Sequence, residues 1–172
     1  MDVRRTLRRF VGTVLLLTMV SPLCCGGAQK DLDPDIPVDF SFVLDGKIHR
    51  ISELRRRPLV LVLMRTSEVM SQLYMDGVTE AFVKTAGRLQ FLVLTIEPNE
   101  APFVAPYVAF EKLPFPIGVA EREVLLGESA LGIVPGVPCT YFIDAEGRPR
   151  TVVAGVIDTK VLVEEAERFS KR

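Results

Sequence analysis

The sequence predicts an α/β domain, a central mixed sheet flanked by helices with an added N-terminal β-hairpin. Three observations carry this. The apolar runs 59–64 (LVLVLM) and 91–96 (FLVLTI) have the length of strands buried on both faces. Between them, Met70, Leu73, Tyr74, Gly77, Val78, Ala81 and Phe82 recur at spacings of three and four, the signature of one helix face on a sheet. Near the C-terminus, strands over 140–143 and 151–156 flank the turn Asp144-Ala145-Glu146-Gly147 and lead into a capped helix. A parallel crossover followed by an antiparallel edge is α/β organisation.

Each element has a local cause. Phe40, Phe42 and Leu44 alternate with polar or smaller residues, and Asp45-Gly46 is a two-residue turn signal, so 40–51 reads as a hairpin. Ile51-Ser52-Glu53-Leu54 reads as one helical turn, which Arg55-Arg56-Arg57-Pro58 ends as a solvated turn. Thr66 or Ser67 is placed to cap the first long helix, and a kink is expected at Asp76-Gly77, where glycine costs about 1 kcal/mol relative to alanine. Further helices are expected over 101–112 and 121–131, separated by a short strand over 115–119. Residues 132–138 form a loop. Asp158 caps the last helix, 159–169, with Val161, Leu162, Ala166 and Phe169 on its buried side.

The N-terminal residues, 1–28, read as a signal peptide or lipoprotein signal. Arg4, Arg5, Arg8 and Arg9 precede an apolar run, Phe10 to Val20, that is too short to span a bilayer as a helix. Gly26 and Ala28 suit signal cleavage before Gln29, whereas Cys24 or Cys25 suits lipidation; an uncleaved anchor is the third alternative. Residues 29–39 hold four aspartates and two prolines and read as an extended acidic tether. The domain proper is expected over 40–172.

Charge and cysteine content narrow the function. Removing residues 1–24 takes four Arg and one Asp from 21 basic and 22 acidic residues, leaving 17 and 21, a formal charge of −4. That balance disfavours a nucleic-acid partner. Export implies an oxidising compartment, yet beyond residue 25 the chain has one cysteine, Cys139, so no internal disulfide is available and the fold must rest on its core. With His49 as the sole histidine, no metal site or catalytic triad can be assembled, and no cofactor-binding loop is present.

From residue 40 to about 170 the chain resembles the thioredoxin-like superfamily, in its TlpA-like or redoxin branch of exported bacterial proteins. The matching residues are Phe40–Leu44 with Asp45-Gly46, Ile51-Ser52-Glu53-Leu54, Pro58–Met64, Leu113-Pro114-Phe115-Pro116, and Gly136-Val137-Pro138-Cys139-Thr140-Tyr141-Phe142-Ile143-Asp144 with Gly147. The resemblance implies a thioredoxin-like fold, a cis proline at Pro138, and a groove beside Val137 and Pro138 that holds an extended peptide. It also implies a Cys-x-x-Cys at the start of the first helix, and there this chain reads Glu68-Val69-Met70-Ser71. Glu68 and Ser71 stand at the two dithiol positions, and neither exchanges disulfides. Val62 replaces a polar or acidic residue often buried in the central strand, Ser67 an aromatic one, and Asp76 a helix-kinking proline.

Two functions follow as expectations. The first is an exported, non-catalytic module that binds a peptide or protein partner in the cell envelope through the groove at Val137 and Pro138. The alternative is a thiol-based redox protein that uses Cys139 alone, which requires an exposed thiol of lowered pKa. As a small apolar residue at a strand start, Cys139 is otherwise buried and inert. Glu68 has an ordinary role in the first helical turn, where a carboxylate is stabilised by about 0.3–1 kcal/mol, or binds a cationic group in place of the thiolate.

Overall fold

The computed structural model describes residues 32–85 and 87–171. The segment expected to be a signal, with Cys24 and Cys25, lies outside the described residues. Seven strands form one sheet: β1 (Ser41–Leu44), β2 (Lys47–Arg50), β3 (Leu59–Met64), β4 (Gln90–Thr95), β5 (Ile117–Ala120), β6 (Cys139–Ile143) and β7 (Pro149–Ala154), in the order β2-β1-β5-β4-β3-β6-β7. Four helices accompany them: α1 (Val69–Thr85), α2 (Ala101–Glu111), α3 (Arg122–Leu125) and α4 (Thr159–Phe169). None of these is long and apolar enough to cross a membrane.

β3 is central because every one of its residues is buried. It pairs parallel with β4 and antiparallel with β6. Alternate side chains of β3 enter two separate cores. Leu59, Leu61 and Leu63 meet Phe40, Phe42, Leu92, Leu94 and Tyr141, whereas Val60, Val62 and Met64 meet α1, α4, Phe91 and Phe142. The period of two along the strand thus supplies both layers from one apolar run.

The N-terminal hairpin forms as the sequence predicts. Asp45 and Gly46 both have positive φ (50° and 73°), the mirror-image turn that matches strand twist. The helical turn at 51–54 is a 3₁₀ helix. The expected acidic tether is described from Leu32 onward. Residues 33–37 are exposed, but Leu32 packs against the core, Val38 is fully buried with its N–H donating to Gly147 O (2.8 Å), and Asp39 accepts from Ser52 N–H (3.1 Å). One apolar residue in an acidic stretch finds a core position that composition does not reveal.

Three helices depart from expectation. In α1 the buried face is Ser71, Tyr74, Met75, Gly77, Val78, Ala81 and Thr85, while Met70 and Leu73 are exposed. From Tyr74 to Ala81 the expected stripe is buried and Phe82 packs against it, whereas at the start of the helix the buried residue is Ser71 in place of Met70 and Leu73. No break interrupts α1 at Gly77, which instead lets α4 approach: a Cβ there would lie 3.0 Å from Thr159 Oγ1. The expected helix 121–131 shrinks to α3, since Gly127 takes φ +71°. In α4 Asp158 caps as predicted, accepting from Lys160 N–H (2.8 Å), but Val161 is exposed beside the 162–166–169 stripe. α2 is apolar almost throughout, yet none of its residues is fully buried, and Phe103 and Phe110 are exposed.

Gly118 marks the tightest join in the sheet. A Cβ there would sit 2.6 Å from the backbone oxygen of Val43, where β5 meets β1. Gly118→Ala is therefore expected to destabilise the chain by about 1–3 kcal/mol, read as a lower denaturation midpoint in urea with unchanged slope. Wild-type stability in this variant would contradict the close approach.

Candidate functional site

At the carboxyl ends of β3 and β4 the chain leaves the sheet through two adjacent loops. Arg65–Glu68 leads into α1, and residues 96–100 lead into α2. The loop before β6, Gly136-Val137-Pro138, completes the site, and the Val137–Pro138 peptide bond is cis. A cavity of ≈ 390 Å³ lies between these segments, lined by Arg65, Glu68, Ile96, Leu125, Val134 and Val137 among others. Its walls present both polar and apolar groups, and its charged groups are Arg65 and Glu68. The described residues give neither the N–H nor the C=O of Val137 a backbone partner, whereas Pro138 O accepts from Gly155 N–H (2.8 Å).

Glu68 and Ser71 are brought together. Ser71 is fully buried, and its hydroxyl donates to Glu68 Oε2 (2.7 Å) while accepting from Arg65 N–H (3.4 Å). A carboxylate bonded to a serine hydroxyl thus occupies the start of α1. The carbonyl of Glu68 accepts from Gln72 N–H (3.0 Å), which begins the helical ladder, and the Gln72 side-chain amide donates to Thr66 O (2.7 Å). Arg65 pairs with Glu97 (2.7 Å), and its Nε is buried without a partner among the described residues.

The expected capping by Thr66 or Ser67 is absent, and the reason is a residue that sequence reading missed. Glu100 is only 6% exposed. Its carboxylate accepts from the amides of Thr66 (2.8 Å) and Ser67 (3.1 Å), from the Ser67 hydroxyl (2.6 Å), and from the Thr95 hydroxyl. Burial by itself would raise the pKa of this group. The two hydroxyl and two amide donors outweigh it and hold the value at about 2. Glu100 therefore ties the loop before α1 to the loop after β4 and fixes one wall of the site. The available signal was weak: an acid beside Pro98 and Asn99 in a stretch that looks solvated.

Cys139 lies next to the groove in sequence but not in contact with solvent. It is fully buried in β6, pairs with Leu63 and Ala154, and belongs to the core beneath Tyr141. Burial pushes its thiol pKa up, against a smaller opposing effect of Tyr141. This is the reverse of an activated thiol. Thr140, its neighbour on the other face, bonds the Tyr74 hydroxyl (3.0 Å). Val62 is fully buried, so the central strand places no acid beneath the site. His49 is remote, in β2, stacked on Phe42 and bonded to Glu53 (3.2 Å).

The fold is shared with solved structures. A secreted thiol-disulfide isomerase from Corynebacterium glutamicum superposes with a TM-score of 0.68 at 14% identity, over 79% of this chain and 86% of that one. A thiol:disulfide interchange protein of the thioredoxin family from Chlorobium tepidum gives 0.62 at 22% identity, over 79% and 98%. The exposed lipoprotein thioredoxin of Streptococcus pneumoniae gives 0.62 at 19% identity, over 76% and 98%.

The fold is thioredoxin-like.

No family model and no curated protein matches the chain in sequence. In this thioredoxin-like fold the site sits where β3 meets α1, and the only cysteine among the described residues is the buried Cys139.

Two measurements test the site. Because the Glu100 pKa is lowered on folding, its contribution is fully present above the ordinary value of about 4.5 and is lost as pH falls towards about 2. The shift corresponds to about 3 kcal/mol. Glu100→Gln is thus expected to lose up to that amount near neutral pH, and its stability should vary less than that of the wild type between pH 4.5 and 2. For Cys139, alkylation in the native protein should be undetectable until global unfolding, in native and denaturant-treated samples compared by mass spectrometry. Labelling of the folded chain at the rate of a free thiol would show the strand to be open.

Proposed function

We propose that this protein is an exported, thioredoxin-like binding module, held at the membrane by its N-terminal segment, that takes up an extended peptide or protein segment without thiol chemistry. The single observation that carries this reading is the groove. Val137 lines a cavity of mixed polarity, its N–H and C=O have no backbone partner among the described residues, and Glu68 and Ser71 beside it form a bonded pair.

The chemistry supports binding over exchange. Unpaired main-chain groups at a groove edge accept another strand by backbone hydrogen bonds, with side-chain pockets setting preference. Val69 and Met70 are exposed on the first turn of α1, and Leu125 and Ile133 are exposed on the far side, giving a segment apolar surface to cover. Glu68 and Arg65 supply one charge of each sign at the cavity. A disulfide-exchange step needs an attacking thiolate, and the site presents oxygen in its place. Export is supported by the basic and apolar N-terminal pattern, and the similar solved proteins include a secreted and an exposed one.

The test is a peptide-binding titration followed by amide NMR on the full chain. Extended peptides are expected to shift the resonances of Val137 and Glu68. Leu125→Asp, which alters only an exposed wall, should weaken binding at least about tenfold, equivalent to about 1.4 kcal/mol. Cys139→Ala should leave affinity unchanged. Absence of binding across a peptide library, or binding that depends on Cys139 and not on Leu125, would overturn the proposal.

A further inference from the structure

The end of the sheet opposite the groove is basic. Arg55, Arg56 and Arg57 form the exposed turn that enters β3, and Arg88 lies in the exposed turn that enters β4. The two turns are joined: the Gln90 side-chain amide donates to Leu54 O (2.6 Å) and Arg57 O (3.1 Å), and Arg57 donates to Gly87 O (3.5 Å). Among the described residues no carboxylate pairs with any of these four arginines. Asp144 at this end is already paired with Arg150 (2.6 Å). The groove end carries Glu68, Glu97 and Glu100 instead. β3 separates the two ends by its six residues, about 20 Å. The arginine end also carries the exposed Glu146, Asp33 and Asp35, so its basic character lies in the four unpaired arginines of the two turns, in a domain that is acidic overall.

The N-terminal segment enters at the arginine end. Val38 bonds Gly147 O, Arg56 N–H donates to Ala145 O (3.0 Å), and a Cβ on Gly147 would lie 2.9 Å from Arg55 Nε and 3.5 Å from Pro37 Cβ. A turn closed by Ile36 N–H to Asp33 O (3.2 Å) keeps Leu32 within about 15 Å of Pro37. From Leu32 back to Cys25 are seven residues, which span at most about 25 Å. A bilayer that holds the residues before Cys25 is therefore within a short tether of this face.

We propose that the arginine end is the membrane-facing surface of the domain, seated on anionic phospholipid headgroups, so that the groove at Val137 opens away from the bilayer. The inference rests on the reading of residues 1–28 as a membrane-holding segment. The chemistry is that of guanidinium groups on phosphate, each favouring association with an anionic surface by about fivefold and screened by salt.

The test uses the full chain reconstituted with phosphatidylcholine vesicles, with or without phosphatidylglycerol, at about 0.1 M and about 1 M salt. Flotation reports the anchor, and arginine-specific labelling read by mass spectrometry reports the face. The chain is expected to float under all conditions. With phosphatidylglycerol at low salt, Arg57 and Arg88 should react roughly fivefold more slowly, while Arg65 and Arg122 should react at an unchanged rate. Replacing Arg55, Arg56 and Arg57 together by Glu should remove the protection of Arg88 and leave flotation intact. Flotation everywhere with equal labelling in both lipids overturns the proposed face and keeps the anchor. Flotation only with phosphatidylglycerol at low salt keeps the basic surface and overturns the anchor. No flotation under any condition overturns both.

Discussion

β3 has no face that meets water, and the rest of the molecule is arranged to satisfy that condition. A strand buried on both sides needs a strand on each edge and a layer on each face. β4 and β6 supply the edges, α1 and α4 cover Val60, Val62 and Met64, and the N-terminal segment with the 3₁₀ turn and α3 closes over the leucines. The two ends of the same strand then become the two chemically distinct poles of the domain. The turn entering it is arginine-rich, and the loop leaving it starts the groove.

At the groove, hydrogen bonds tie together the residues around the start of α1. Ser71 is buried and needs a partner, which the Glu68 carboxylate provides. The preceding loop would leave the amides of Thr66 and Ser67 without acceptors, and the carboxylate of Glu100 satisfies both. A buried carboxylate is tolerated only when enough donors surround it, and Glu100 has four. The result is a rigid wall beside a cavity whose other side, Val137, keeps unpaired main-chain groups.

Much of the fold was legible because its signals are local. The two apolar runs, the Asp45-Gly46 turn, the Asp158 cap and the strand that begins at Cys139 each appear where their residues imply. Reading failed where a partner far along the chain decides. Thr66 and Ser67 look like helix caps until Glu100, more than thirty residues away, takes their amides. Val38 looks solvated until Gly147 accepts its N–H. The buried face of α1 was read correctly over Tyr74–Ala81 but not at its ends, where Ser71 and Thr85 are buried and an apolar count cannot find hydroxyls.

The sequence by itself determined the class of fold, the order of its elements, the absence of a dithiol at the start of α1 and the charge of the Arg55–Arg57 turn. These depend on residue type and spacing, which the chain carries directly. Only the tertiary structure decided that Cys139 is sealed in the core, that Glu68 and Ser71 share a hydrogen bond, that Glu100 organises the site, and that the arginine turn and the N-terminal segment occupy the same pole. Burial and long-range pairing are properties of the packed sheet. They arise from which strands become neighbours, and no stretch of local sequence records that choice.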